Sequence, residues 1–233
     1  MNVRQLLMGG VAAGALAVTG TASAQLTIVD NIAGNWIDIS STGLALNLSD
    51  DGEVDFVSGV GNAVFAAGTT RIGSNGAVRF AGTGSSLSFS NAAIPASGLF
   101  NFDQALAPFW DDINTSSGTN GQIYAQDIGG VYVVQWEGVA FFGSTDTATF
   151  QLQVHSSGPA LAQFIYRDVS SPRAGNGDGA TIGYQAGGIQ NDVQWSFNTA
   201  SVQNGMVLSL VPAPSTAVLL GLGGLAATRR RRS

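Results

Sequence analysis

The fold is decided by the stretch Thr149-Phe150-Gln151-Leu152-Gln153-Val154-His155, in which apolar and polar side chains alternate. Successive side chains of a β-strand point to opposite faces of the sheet, so this alternation predicts a strand with one apolar face and one face toward water. We expect Gln151, Gln153 and His155 on the wet face. Further runs rich in β-branched and aromatic residues, bounded by Gly, Asn, Asp or Ser, predict strands at residues 131–136, 161–166, 180–184 and 193–197.

The first half of the chain fits the same pattern. Residues 36–39 and 44–48 resemble a first pair of strands, followed by a turn at Asp50-Asp51-Gly52. A second turn, Ser74-Asn75-Gly76, predicts a hairpin between strands near residues 70–72 and 77–80. Because no segment after residue 25 has a convincing helical pattern, the sequence predicts an all-β fold, an antiparallel β-sandwich over residues 25–210.

The amino terminus predicts export. Arg4 provides a positive charge, residues 6–18 form an apolar stretch, and Ala22-Ser23-Ala24 offers small residues for cleavage. These are the three parts of a secretory signal peptide. Residues 1–24 are therefore predicted to be removed after Ala24, and the mature chain to begin at Gln25.

The carboxyl terminus, residues 211–233, predicts a sorting signal. Val211-Pro212-Ala213-Pro214 is followed by an apolar run at residues 217–227 and by the block Arg229-Arg230-Arg231-Arg232. Arginines after an apolar segment stay on the cytoplasmic side while the preceding chain is exported. A stable spanning helix needs roughly 20 apolar residues, and this run is shorter, so it predicts a short sorting helix that holds the protein transiently at the membrane.

This three-part terminus resembles the PEP-CTERM sorting signal of bacterial envelope proteins. The resemblance implies export, processing by an exosortase-like enzyme, and delivery to the cell surface or extracellular matrix. Processing would act around Pro212, Ala213 and Pro214, where this chain has Pro-Ala-Pro in place of the usual Pro-Glu-Pro. The alternative is a hydrophobic tail that is never processed.

Composition excludes several function classes. The chain has no cysteine, which excludes disulfides and thiol chemistry. Without the predicted terminal segments, four arginines and no lysine face fifteen carboxylates, a net charge of about −11. Such a chain cannot neutralise phosphate backbones, so we expect no nucleic-acid partner. Cations and neutral glycans remain compatible with this charge.

A series of short motifs across residues 44–210 resembles the nidogen-like extracellular β domain of bacterial secreted proteins. The motifs are, in chain order, 50–52, 74–76 with Val78 and Phe80, Ala107-Pro108-Phe109-Trp110-Asp111-Asp112, 133–136, 149–151, 164–166 and 180–183. The resemblance implies adhesion or matrix roles, and it implies no catalytic residues.

The run from Ala107 to Asp112 also has a physical interpretation. Phe109 and Trp110 would bury large aromatic surfaces just before a polar turn, which predicts core positions. Asp111, Asp112 and Asn114 would then offer hard oxygen ligands at a loop, the kind that Ca²⁺ prefers. The alternative is a turn in which these side chains bond the local backbone. The sequence predicts no cofactor other than this candidate Ca²⁺.

Catalytic candidates are few. His155 is the single histidine, and a solvated strand position is the expected one. Two carboxylates across a cleft would suffice for a glycoside hydrolase, and Asp111 with Glu137 or Asp112 would be the pair. Trp36 is the tryptophan most open to a ligand-binding role, because polar residues flank it.

The sequence therefore predicts a non-enzymatic, acidic, exported protein of the cell surface or extracellular matrix with a structural or adhesive role. Its expected partners are the processing enzyme, extracellular polysaccharide and matrix proteins, and the membrane during export and sorting. A carbohydrate-binding or calcium-binding module is the alternative, and a paired-carboxylate glycoside hydrolase is a further one.

Overall fold

A computed structural model describes residues 25–84, 86–116 and 120–213. The chain is all-β and forms two antiparallel sheets in a sandwich, which confirms the predicted fold class. Within these described ranges, helical structure is limited to two short 3-10 turns, Phe100–Phe102 and Gly175–Gly177. No helix in the same ranges is long and apolar enough to cross a membrane.

In the part of the chain that the structure describes, fourteen strands make up the two sheets. The first seven are β1 Leu26–Val29, β2 Leu44–Ala45, β3 Glu53–Ser58, β4 Gly68–Gly73, β5 Ala77–Ala81, β6 Gln104–Trp110 and β7 Ile113–Asn114. The others are β8 Gln122–Ile128, β9 Val131–Phe141, β10 Thr147–His155, β11 Ala162–Asp168, β12 Thr181–Gln185, β13 Val193–Phe197 and β14 Val207–Pro212. The five runs predicted from the second half of the sequence all contain strands.

The larger sheet has the strand order β1-β14-β11-β10-β9-β8-β2, and β7 pairs with the far end of β9. The smaller sheet has the order β13-β12-β6-β5-β4-β3. The predicted hairpin at Ser74-Asn75-Gly76 joins β4 to β5. Sequential strands pair as hairpins through most of both sheets, as expected for antiparallel β proteins with short turns.

The main core lies between the sheets and is built by the apolar half of each alternating strand. In β10, Phe150, Leu152 and Val154 all point into it and are fully buried. The Phe150 ring stacks between Trp136, with ring centroids 4.9 Å apart, and Phe109 at 5.3 Å. Aromatic pairs at these separations add to the stability that area burial provides.

A second core covers the outer face of the smaller sheet. The segment 86–103 packs there, and Trp110 is buried beneath it with its indole N–H donating to the Ser88 carbonyl at 2.7 Å. The neighbouring Phe109 faces the main core instead, so β6 is buried on both sides. Phe109 and Trp110 are thus both core residues, as predicted, but they belong to different cores.

The outer face of the larger sheet is also covered, and here the sequence prediction was wrong. Residues 36–39 were expected in a strand, yet residues 30–39, called the strap below, cross this face without being part of either sheet. The strand expected at residues 44–48 is reduced to Leu44–Ala45. Gln151 and Gln153 were expected in water, and they are fully buried beneath the strap.

The two ends of the described chain meet at one edge of the larger sheet. β1 pairs with β14 so that Leu26 lies opposite Pro212, and the Ala213 amide donates to the Gln25 carbonyl at 2.6 Å. The predicted signal peptide, cleavage residue Ala24, sorting helix and arginine block lie outside the described residues, as does Pro214.

Candidate functional site

Four buried glutamines on three neighbouring strands hold the strap to the larger sheet. This glutamine row consists of Gln163 on β11, Gln153 and Gln151 on β10, and Gln135 on β9. Their carboxamides bond the main chain at every second residue from Ala33 to Ile39 of the strap. The partners are the carbonyls of Ala33 at 3.3 Å, Asn35 at 2.8 Å and Ile37 at 2.7 Å, and the amides of Ile37 at 3.3 Å and Ile39 at 3.0 Å.

The carboxamides of the glutamine row also bond one another. Gln153 donates to Gln151 at 2.6 Å, and Gln151 donates to Gln135 at 3.0 Å. Gln135 completes the chain by donating to Glu137 at 2.8 Å. Buried amides are stable only when their donors and acceptors are paired, so row and strap depend on each other. In the sequence, this row is visible as glutamines at alternating strand positions, a pattern that predicts a solvated face.

We expect Gln151→Ala to destabilise the protein by about 2–3 kcal/mol, because it leaves both main-chain groups of Ile37 and its two glutamine neighbours short of partners. Urea denaturation followed by tryptophan fluorescence measures this. The matched control, Gln203→Ala, changes an exposed glutamine and should stay within about 0.5 kcal/mol of wild type. Equal midpoints for the two variants would contradict the proposed role of the row.

His155 lies at the edge of the strap and not in open water as expected. It is half-buried in a groove of about 270 Å³ that Asn35, Gln153 and Ser157 also line. Burial lowers the pKa of the imidazole, and its Nε2 atom is itself buried. An acid or base must reach the reacting proton, so the inaccessible Nε2 is poorly placed for general acid–base work.

Trp36 is half-buried on the strap, and an arginine side chain already packs over its ring. The Arg167 guanidinium lies 5.5 Å from the ring centroid, at a cation–π distance. Arg167 also lies 3.9 Å from carboxylate oxygens of both Asp38 and Glu137. A sugar ring stacking on Trp36 would therefore compete with the arginine for that face.

Asp111 and Asp112 follow β6 directly and point to different partners. The buried Asp111 carboxylate accepts two hydrogen bonds from Arg173, at 2.8 and 2.9 Å, in a bidentate pair. The same guanidinium stacks on Phe141 at 4.9 Å. Because a bidentate arginine satisfies both carboxylate oxygens and their charge, Asp111 is a structural anion here.

Asp112 lies instead with the turn before β3. The carboxylates of Asp50, Asp51 and Asp112, called the acidic cluster below, have oxygens within 4.8 Å of one another. Asn75 fixes this arrangement, since it donates to Asp51 at 2.8 Å and accepts from the Ile113 amide at 2.8 Å. The predicted Asp50 and Asn75 turns are thereby brought to the end of the Phe109-Trp110 strand.

The acidic cluster is electrostatically strained. Burial, followed by repulsion from Asp51, raises the pKa of Asp50. Burial, followed by repulsion from Asp51 and Asp50, raises the pKa of Asp112. One oxygen of Asp50 is buried without a hydrogen-bond partner. Converging carboxylate oxygens of this kind are chemically suited to a hard divalent cation.

Asn114 takes no part in the cluster's network. Its Oδ1 accepts from the amide of Ser116 at 2.9 Å and from the Ser116 hydroxyl at 2.5 Å. This is the local turn that the sequence offered as the alternative. Of the three candidate calcium ligands, the structure therefore brings Asp112 alone into a group of carboxylates.

The carboxylates considered as pairs for glycoside hydrolysis each have their own partners. Asp111 is bound by Arg173, whereas Glu137 accepts from Gln135 and lies near Arg167. Asp111 and Glu137 thus belong to separate ion pairs, and Asp112 lies in the acidic cluster. Pro212 and Ala213 are the described part of the predicted processing motif; Pro212 ends β14, which pairs with the edge strand β1, and Ala213 follows it.

Comparison with known proteins gives one family. A family model described as NIDO related matches residues 33–218, which include the strap from Ala33 onward, both sheets except β1, and the acidic cluster. No curated protein and no solved structure matches the chain.

Proposed function

Because the chain belongs to the NIDO-related family, we propose that it is a non-enzymatic protein of the cell surface or extracellular matrix with a structural or adhesive role. The observation that carries this proposal is the extent of the family match, residues 33–218, which covers most of the sandwich. The family indicates an extracellular, matrix-like β domain. The structural or adhesive role of this chain is the further step that we propose.

The charge of the domain supports polysaccharide or like subunits as partners. All four arginines between residues 25 and 213 are engaged by carboxylates. The remaining charge is acidic, and the chain is rich in glycine and uncharged polar residues. A surface of this kind repels polyanions and favours hydrogen bonding to neutral glycans or packing against similar domains.

We also propose that the protein is exported, cleaved after Ala24, and processed near Pro214 by an exosortase-like enzyme that reads the sorting tail. The positions of the chain ends support this. Cleavage after Ala24 leaves β1 whole, and cleavage after Pro214 leaves β14 whole. Intact mass of the protein from its native envelope or medium tests it. A mass running from Gln25 to Ser233 would contradict tail processing.

The structural or adhesive role is tested by deleting the coding sequence and measuring attachment of cells to their extracellular matrix. We expect attachment to fall, and the full chain supplied on a plasmid to restore it. A chain lacking residues 217–232 is the matched control, because the sandwich is kept while the proposed sorting signal is lost. Normal attachment in the deletion strain would contradict the role.

Calcium binding is a second candidate, favoured by the acidic cluster and by the unpartnered Asp50 oxygen. A bound divalent ion would neutralise the repulsion among Asp50, Asp51 and Asp112. Ligand linkage then stabilises the fold by about 2.7 kcal/mol when free Ca²⁺ is a hundred times Kd. The ligand set differs from the one expected from sequence, since Asp111 and Asn114 are bonded elsewhere.

Thermal unfolding of Asp112→Asn and of wild type tests this site, because Ca²⁺ should reverse which of the two proteins melts at the higher temperature. In chelator, the variant should melt above wild type, because one of three repelling charges is gone. With Ca²⁺ present, wild type should melt above the variant. Asp30→Asn, the same change at an exposed position, should show no such reversal. A wild-type thermal midpoint that changes with neither Ca²⁺ nor chelator would exclude the site.

The pH dependence follows from the same pKa shifts. A carboxyl whose folded pKa is raised above its unfolded value destabilises the fold at higher pH, and this loss is relieved as pH falls through the folded pKa. In chelator, the advantage of Asp112→Asn over wild type should therefore be full at pH 7 and shrink toward pH 4. An advantage that does not change with pH would contradict charge repulsion as its cause.

A further inference from the structure

The glutamine row recognises the strap by its main chain. The bonds reach backbone atoms of Ala33, Asn35, Ile37 and Ile39, two residues apart, as an extended segment presents them. The side chains of Ala33 and Asn35 are exposed. A row of this kind binds an extended chain in one register and tolerates many side chains, as in other cases where main-chain bonding holds a peptide.

The ends of the same segment are recognised by side chain. Leu26 and Ile28 on β1 enter the main core, and Ile39 is fully buried at the other end of the strap. Asn191 adds a matched pair of bonds to the Leu26 amide and carbonyl, at 2.8 and 2.9 Å. Apolar anchors at this spacing fit the chain's own sequence, so the occupant that satisfies the whole surface is another copy of residues 25–39.

One short turn joins this segment to the rest of the domain. It runs from Ile39 to Gly43 and is closed by the Gly43 amide donating to the Ile39 carbonyl at 2.8 Å. If the turn opens, residues 25–39 of one copy make all the same contacts on a neighbour. Exchanged and unexchanged forms then differ chiefly in the turn, which is the condition for exchange of an identical element between protomers.

We propose that the glutamine row, together with the side of β14 that pairs with β1, is an interaction surface for residues 25–39 of a second copy of this chain. Reciprocal exchange joins two copies, and one-directional exchange extends an open series. This inference rests on the proposed function in one respect, because cleavage after Ala24 gives the segment the free end that it needs. It supplies the like-subunit contact that a matrix role requires.

The absence of cysteine makes a direct test available. Asn35→Cys places a thiol on the strap and Ser157→Cys places one across the groove that both residues line. Full chains carrying one change each are unfolded, mixed, refolded together and treated with a short bis-maleimide. We expect a cross-linked heterodimer. The double variant, refolded alone at low concentration, should give an intrachain link that verifies the strap position.

The matched control pairs Asn35→Cys with Val57→Cys, which exposes a thiol on the edge strand β3 of the other sheet and should give no heterodimer. An intrachain link in the double variant without any heterodimer in the mixture would overturn the proposal. Failure of the intrachain link would overturn it as well, since the strap would not lie on the row.

Shortening the turn supplies a second measurement. Deletion of Ser41 and Thr42 prevents the strap from folding back onto its own sheet, so monomers should give way to dimers or longer species by light scattering. A folded monomer would contradict exchange. Normal matrix attachment in the deletion strain, by contrast, would contradict the proposed role and leave the cross-linking result unaffected, so the two failures are distinguishable.

Discussion

Gly76→Ala is expected to lower the free energy of unfolding by more than about 3 kcal/mol, enough to leave much of the protein unfolded. Gly76 has a φ of +78° in the turn between β4 and β5. A Cβ atom there would overlap the carbonyl oxygen of Phe109, which is backbone and cannot swing away. Phe109 is also hydrogen-bonded to Gly76 through its amide, at 3.3 Å, so the two segments cannot separate without further loss.

Gly129→Ala is the matched control for this change. Gly129 also has a positive φ, +59°, but nothing lies within 4 Å of the position that its Cβ would take. Its cost is limited to the left-handed backbone, about 1 kcal/mol. Urea denaturation of both variants separates backbone conformation from overlap. Similar losses in the two variants would show that the positive φ alone, and not overlap with Phe109, accounts for the effect of Gly76→Ala.

Phe150→Ala is expected to cost about 3–5 kcal/mol, the usual range for deleting a buried aromatic ring. Phe150 lies at the centre of the main core, stacked between Trp136 and Phe109. Its removal opens a cavity between the sheets that neither neighbour can fill without leaving its own position. The change in the urea midpoint, at constant slope, measures the loss.

Phe142→Ala controls for the loss of a phenyl ring as such. Phe142 follows the end of β9, and 58% of it is exposed. The hydrogen bond from its main-chain amide to the Asp112 carbonyl, at 3.0 Å, is kept when alanine replaces the phenylalanine. We expect a change within about 0.5 kcal/mol. A loss as large as that of Phe150→Ala would contradict the described position of one of the two rings.

The strands of the second half of the chain were predictable because their signal is local. Alternation in β10 and β-branched runs such as Val131–Gln135 depend only on which residues suit a pleated surface. The sandwich follows from many such strands with short turns. Burial of Phe109 and Trp110 was predictable from their size, although their division between two cores was not, because the second core depends on the distant segment 86–103.

The strap was not predictable from local pattern. Residues 36–39 have strand-like composition, and their main-chain partners are side chains more than 90 residues away. Glutamine in an alternating strand usually faces water, so Gln151 and Gln153 gave a misleading signal. What distinguishes them is that four glutamines become neighbours only once β9, β10 and β11 pair, and sequence order does not reveal that register.

The candidate cation site was predicted in part. Asp112 and the Asp50-Asp51 turn were both singled out, but as separate features of the chain. Their meeting depends on Asn75, which ties the β4–β5 turn to Ile113. The choice between Asp111 and Asp112 depended on which of them Arg173 reaches, and this arginine lies 62 residues further along.

Because Gln25 and Ala213 are hydrogen-bonded at one sheet edge, joining them would close the chain of the domain into a ring. A ring can be cut elsewhere without changing which strands are neighbours, and proteins with adjacent ends commonly tolerate such permutation. The exposed Gly129-Gly130 turn between β8 and β9 is a suitable place for the new ends. A permuted chain joined from 213 to 25 would keep every ladder of both sheets while its first residue lay in the middle of the larger one.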